Sequence, residues 1–249
     1  MPRYKITIEY DGTGLAGWQR QDDRESVQGL LEKAAEKLGG GPCTVTGAGR
    51  TDAGVHAIGQ VAHFDMQREI NGYNVIHGMN YHLEPLTSNV VVTQAVQVPD
   101  DFHARFSATA RTYFYRIVNR TARLAFDMHR AWHIPEKLDV PAMHAAAQLL
   151  TGHHDFTSFR SSICQSKSPL KTLDRLDVVH EGEEIRVLTQ ARSFLHHQVR
   201  NMVGTLRFIG NGKWTAKDLE AALEGKNRNH GGETAPAQGL CLQHVGYEN

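Results

Sequence analysis

The sequence predicts an α+β fold. It reads as two βαββαβ halves, ferredoxin-like in pattern, joined into one extended, mainly antiparallel sheet with helices packed on it. Three observations carry this reading. The expected order strand, helix, strand, strand, helix, strand runs twice along the chain. Apolar residues make up 40% of 249 positions and charged residues 22%, which builds a core and excludes disorder, collagen-like repeats and coiled coil. No apolar run approaches the roughly 20 residues that span a bilayer, and the N-terminus MPRYKITIEYDG lacks the apolar stretch and cleavage site of a signal peptide. The expectation is a soluble, cytoplasmic protein.

Residues 3–10 (RYKITIEY) alternate strictly, with Tyr4, Ile6, Ile8 and Tyr10 on one face, as in a half-buried strand. Ser26 is the expected N-cap of a helix whose apolar positions Val27, Leu30, Leu31, Ala34 and Leu38 fall at helical spacing, with Gly39 as its stop. A short strand is expected at 43–46, then a glycine-rich loop, a strand at 58–64, a weaker helix at 73–81 and a strand from Ser88. The second half opens on ARTYFYRIV at 110–118, rich in β-branched and aromatic residues. An alanine-rich helix follows at 139–150, with Pro141 near its start. Two strands at 172–179 and 185–189 flank an EGEE turn. The apolar stripe Leu195, Val199, Met202, Val203, Leu206 and Ile209 predicts a helix over 195–209. A short capped helix at 215–223 and a strand at 240–245 complete the pattern. The break falls inside VPDDFHARF, giving halves of 1–104 and 105–249.

Lys and Arg total 27, as do Asp and Glu, so overall charge does not single out a nucleic-acid binder. The distribution says more. Residues 103–130 hold six arginines against the single acid Asp127, and 192–213 hold three arginines and a lysine with no acid. Local positive surface is the expectation, with solvated charge on unrelated faces as the plainer alternative. Cys43, Cys164 and Cys241 are odd in number and far apart, which makes neither a disulfide framework nor a zinc site. The adjacent histidines at 153–154 and 196–197 do not face one another on a helix and lack a metal-site partner. No metal is expected.

Three stretches carry chemistry. In GAGRTDAGVHA, residues 47–57, closely spaced glycines let the backbone turn sharply and approach a ligand, and they hold Arg50 and Asp52 two residues apart. No Gly-Lys-Ser/Thr follows, so this is not a P-loop. A structural turn closed by an aspartate is the alternative. In RTYFYR, strand alternation puts Arg111, Tyr113 and Tyr115 on one face. Aromatics interleaved with arginines suit base stacking and phosphate contact, although aromatic packing with exposed arginines is the commoner arrangement. In FLHHQVRNMVG, Arg200 lies off the apolar stripe, beside His197 and Gly204 in projection, placed for phosphate or for a carboxylate from elsewhere.

GAGRTDAGVHA resembles the signature of the TruA-type pseudouridine synthases, which isomerise uridines in the tRNA anticodon stem-loop. YDGTGLAGWQRQ, SVQGLLEKA, FHARFSATARTYFYRI, HDFTSFRSS, SPLKTL, FLHHQVRNMVGTL and TAPAQGLCL resemble further family segments in the right order, so the resemblance covers essentially the whole chain. The clearest departure is Gly231-Gly232-Glu233, where the family often has a more apolar run of small residues and proline.

Residue by residue, the resemblance implies that Asp52 is the catalytic nucleophile and that Arg50 helps extrude the target base. It implies that Tyr113 packs against the uracil and that Arg200 pairs with the aspartate. It implies the pseudouridine synthase fold with the cleft between halves, uridines 38, 39 and 40 as targets, and a homodimer with one tRNA touching both subunits. It implies no cofactor. The reaction itself exchanges bonds within one nucleotide, breaking N1–C1′ and rejoining through C5. A carboxylate suffices, as a nucleophile at C1′ or as a base at C2′. A non-catalytic RNA-binding module on the same fold is the alternative; a desolvated aspartate near phosphates would be of no use to it.

Overall fold

The structure is a computed structural model in which residues 1–248 are described. It contains two compact units, residues 1–109 with 241–248 and residues 110–240.

The first unit begins with β1 (Arg3–Tyr10), whose even-numbered side chains are buried as the alternation requires. Helix α1 (Val27–Gly39) follows, with the Ser26 hydroxyl accepting the Gly29 amide, a standard N-cap. Gly39 lies inside the helix. The stop falls one residue later at Gly40, whose φ of 78° is the left-handed conformation that glycine takes without strain. Strand β2 (Thr46–Gly47), β3 (His56–Asp65), α2 (Gly72–Leu83) and β4 (Val90–Val98) come next. Strand β1 pairs antiparallel with both β3 and β4, and β2 adds to β3.

Residues 241–248, which the sequence reading groups with the C-terminal half, belong to this first unit. Their strand β10 (Leu240–Tyr247) pairs in parallel with β3, Cys241 opposite His56 and Leu242 opposite Ala57. The order is thus β4-β1-β3-β10. Gly59 makes the close approach possible: a Cβ there would lie 2.2 Å from the Gln243 carbonyl oxygen. Helices α1 and α2 pack on each other, and α2 also lies against β4.

The second unit is entered through β5 (Ala108–Asn119). Its inner face alternates through Arg111, Tyr113, Tyr115 and Ile117, all buried. Strands β6 (Trp132–Ile134) and β7 (Gly152–Asp155) are short and were not expected, since three or four residues give alternation too little length to register. Between them lies α3 (Val140–Gln148), capped by Asp139 and with Pro141 in its first turn. Strands β8 (Leu170–Glu181) and β9 (Glu184–Ala191) form a hairpin, and the order is β5-β9-β8-β7 with β6 parallel on β5. Helix α4 (Gln198–Gly210) packs with α3, and α3 on β8; α5 (Ala216–Glu224) closes with a Thr215/Asp218 capping box. No helix among the described residues is long and apolar enough to cross a membrane.

Candidate active site

In the first unit the glycine-rich loop runs from β2 to β3 and rests on the segment after β1. The Trp18 amide donates to the Thr51 carbonyl at 3.0 Å. The Tyr10 and Thr51 hydroxyls lie 2.8 Å apart, and the Gln60 amide donates to the Gly49 carbonyl at 2.9 Å. Within the loop the Val55 amide donates to the Asp52 carbonyl, and Gly54 takes a φ of 79°. Gly17, with φ of 90°, leaves no room for a side chain. A Cβ there would lie 2.5 Å from the Thr51 oxygen and 2.9 Å from the Asp52 carbonyl carbon. The loop backbone is therefore fixed from below by buried polar groups, and its two charged side chains take different surroundings. Asp52 is half-buried between buried Thr51 and exposed Ala53, whereas Arg50 is exposed, its Nε donating to Gln19 Oε1 at 2.9 Å.

His56 ends the loop. Its Nδ1 accepts the Gly12 amide at 3.0 Å. Asp11 Oδ1 lies 3.2 Å from the same nitrogen.

In the second unit, Tyr113 on β5 is 8% exposed and stands opposite Thr189 of β9. Its ring meets Phe194 edge-on, with centroids 5.3 Å apart and planes at 89°, a favoured aromatic geometry. Buried Arg111, two residues earlier on the same face, donates to the Arg192 carbonyl. Helix α4 begins at Gln198, three residues after the expected start. His197 adopts a φ of 64°, and the Gln198 side chain accepts the Leu195 amide at 2.8 Å. This turn delivers Arg200 in the first turn of the helix. Arg200 is half-buried, and its Nε donates to the Ala235 carbonyl at 2.8 Å.

The sequence reading missed the groups that surround Arg200. Asn201 is fully buried: its amide donates to the Phe159 carbonyl, and its Oδ1 accepts from Thr234 and Arg228. The departure Gly231-Gly232-Glu233 lies here as well. The Gly232 amide donates to the Thr205 hydroxyl at 2.9 Å, and a Cβ on Gly232 would come within 2.7 Å of the Thr205 Cα. A Cβ on Gly204 would in turn reach 1.9 Å from the Glu233 oxygen. Small residues on both sides let this segment lie directly on α4. The TAPAQGL stretch was the one available signal, but its contacts depend on tertiary structure.

The expected positive windows are partly neutralised. Arg116 is bound by Asp127 at 3.0 Å and Glu184 at 2.8 Å, Arg120 by Glu183 at 2.8 Å, and Arg207 by Glu136 and Glu233 at 3.3 Å. Most of these acids come from outside the two windows, which counting within a window could not reveal. Arg123 and Arg130 remain exposed. The structure thus places Arg50 and Asp52 on one loop of the first unit, and Tyr113 and Arg200 on a strand and a helix of the second.

A family model described as tRNA pseudouridine synthase matches residues 6–107 and 146–248. The chain is 60% identical over 247 residues to the tRNA pseudouridine synthase A of Paramagnetospirillum magneticum, covering 99% of this chain and 96% of that protein. It is 58% identical to that of Xanthobacter autotrophicus, over 99% and 100% of the two chains. It is 54% identical to that of Rhodopseudomonas palustris, over the full length of both. With matches of this extent, the chain belongs to the tRNA pseudouridine synthase family.

Proposed function

We propose that this isomerase, which forms pseudouridine in tRNA, acts on uridines 38, 39 and 40 of the anticodon stem-loop with Asp52 as its nucleophile. The observation that carries the proposal is the GRTD loop. It presents a half-buried carboxylate on a backbone pinned by Trp18 and Gln60 and packed closely on Gly17, with the Thr51 side chain held by Tyr10. A preorganised carboxylate of this kind can attack C1′, or take a proton from C2′, once the base has been turned out of the stem.

The remaining roles follow from residue type. Extruding a stacked base costs a few kcal/mol, which contacts to the flipped nucleotide offset. Arg50, exposed beside Asp52 in sequence, is suited to fill the vacated space. Tyr113 offers a ring held edge-on by Phe194 for the uracil to pack against. Arg200, held in the first turn of α4, is suited to offer positive charge to the reacting nucleotide. The enzyme works where tRNA matures, in the cytoplasm, as a homodimer. Phe126 is fully exposed and Met128 half-exposed on a loop anchored by the Arg116–Asp127 pair, an apolar surface that a second copy would cover. Sedimentation as a monomer at assay concentration would refute the dimer.

The test of the chemistry is release of tritium from tRNA labelled at uridine C5, because C5 loses its hydrogen only on becoming the glycosidic carbon. Substrates carrying a single uridine at 38, 39 or 40 test the positions. Asp52→Asn should abolish release while tRNA binding persists. Turnover by this variant near that of the wild type would remove Asp52 from the mechanism.

A further inference from the structure

Arg200 is gripped by a strap, residues 232–239, through two reciprocal hydrogen bonds. The Ala235 amide donates to the Arg200 carbonyl at 3.1 Å, and Arg200 Nε donates to the Ala235 carbonyl at 2.8 Å. A long side chain has many rotamers, and fixing Nε sets the plane in which the two terminal nitrogens lie. The position of the Ala235–Pro236 peptide therefore bears directly on the orientation of the guanidinium.

The peptide that follows it, Pro236–Ala237, is held from the sheet. The Tyr115 hydroxyl donates to the Pro236 carbonyl at 2.8 Å. Tyr115 is fully buried, and Gly239 lies against the hydroxyl end of its ring, where a Cβ would come within 2.4 Å. Burial pushes the Tyr115 hydroxyl far above its ordinary pKa, the nearby Arg200 charge pulling it partly back, so it keeps its proton and donates at any working pH. On the upstream side, the Thr234 hydroxyl donates to Asn201 at 2.6 Å. A buried tyrosine needs no hydroxyl merely to fill space. Here the hydroxyl ends on the carbonyl next to the one that Arg200 uses.

We propose that Tyr115 is a positioning residue for the reaction: through Pro236 and Ala235 it sets the plane of the Arg200 guanidinium. The proposal rests on the reading that Arg200 serves the chemistry, and its test separates the two. Tritium release is followed at steady state, and in single turnover with enzyme in excess, for Tyr115→Phe, Arg200→Lys and the double variant. Lysine keeps the charge but has no Nε for the Ala235 carbonyl and no plane to set. Tyr115→Phe is expected to lower kcat roughly tenfold, as a misplaced catalytic group does, with KM within about twofold of wild type. In the Arg200→Lys background the same change should lower kcat by less than about twofold, because the path through Arg200 is already gone.

Thr234→Val, which loosens the strap from its other side, should behave alike with a smaller effect. It also decides the question if Tyr115→Phe folds poorly. Full activity in both strap variants, or equal losses in wild-type and Arg200→Lys backgrounds, would overturn the positioning role. Wild-type turnover by Arg200→Lys and Arg200→Ala would instead remove Arg200 from the mechanism.

Discussion

Replacing Gly17 by alanine strikes the loop that carries Asp52 without touching a reactive side chain. At φ of 90° the new Cβ would lie 2.5 Å from the Thr51 oxygen, 2.9 Å from the Asp52 carbonyl carbon and 3.0 Å from the Ala53 nitrogen. All three are backbone atoms, so no rotamer change relieves the contact. The left-handed conformation costs a non-glycine residue about 1–2 kcal/mol, and forcing a methyl into a filled site about 1–3 kcal/mol more. A total near 3 kcal/mol lowers the midpoint of thermal unfolding by roughly 6–12 °C for a chain of this size. The part relieved by movement displaces Asp52, and turnover should fall roughly ten- to a hundredfold. Gly14 is the control: its φ is 78°, and no atom would lie within 4 Å of an added Cβ. Gly14→Ala should carry the conformational cost alone, about 1–2 kcal/mol and roughly 2–8 °C, with turnover unchanged. Tritium release well below both midpoints, with calorimetry, reads the two effects separately. Equal behaviour of the two variants would refute the claim that Gly17 is kept for the close approach of the loop.

Tyr113→Phe keeps the ring held by Phe194 and should retain activity if packing alone matters; steep loss of kcat with unchanged binding would assign the hydroxyl to proton transfer, and a fully active Tyr113→Leu would exclude both. His63 is 6% exposed, its Nδ1 accepting the Ala104 amide, and burial first, then Arg3 and His103, lower its pKa to about 4. The folded state therefore refuses a proton that the unfolded chain takes up below about pH 6.5, and stability should fall by about 1–3 kcal/mol as pH drops from 6.5 to 4. His63→Asn, which keeps an acceptor without titrating, should flatten that stretch of the unfolding-versus-pH curve; an unchanged slope would contradict the assignment. tRNA affinity should weaken with salt at a log–log slope near −0.7 to −0.9 per phosphate contacted. Arg123→Ala should reduce that slope by about one unit, whereas Arg116→Ala, already bound by two acids, should lower thermal stability and leave the slope alone; the reverse pattern would misplace the RNA-binding surface.

Elements long enough to repeat their period were legible in the sequence. The alternation of β1, the Ser26 cap and the inner face of β5 correspond to what is observed. The start of α4 was not, because Leu195 is buried although it lies outside the helix. A buried residue continues an apolar stripe whether or not its backbone is helical. The glycine-rich loop drew attention to Asp52 and Arg50 by spacing, but only the family resemblance gave them roles. Tyr115, Asn201 and the strap could not be read in this way, because a buried hydroxyl or amide gains its meaning from a carbonyl far along the chain. Charge windows misled for the same reason: Glu183 and Glu184 neutralise Arg120 and Arg116 across more than sixty positions.

The parallel pairing of β10 with β3 bears on how the chain comes off the ribosome. The edge of β3 that receives Cys241 and Leu242 is synthesised early, and its partner strand only after all of residues 110–240. At roughly 5–20 residues per second, the stretch between Asp65 and Leu240 leaves that edge waiting about 9–35 seconds without its partner strand. An open, largely apolar strand edge invites pairing with other nascent chains. The first unit to emerge is thus the last to be finished, and the interval before its closing strand arrives is when this protein most needs a chaperone.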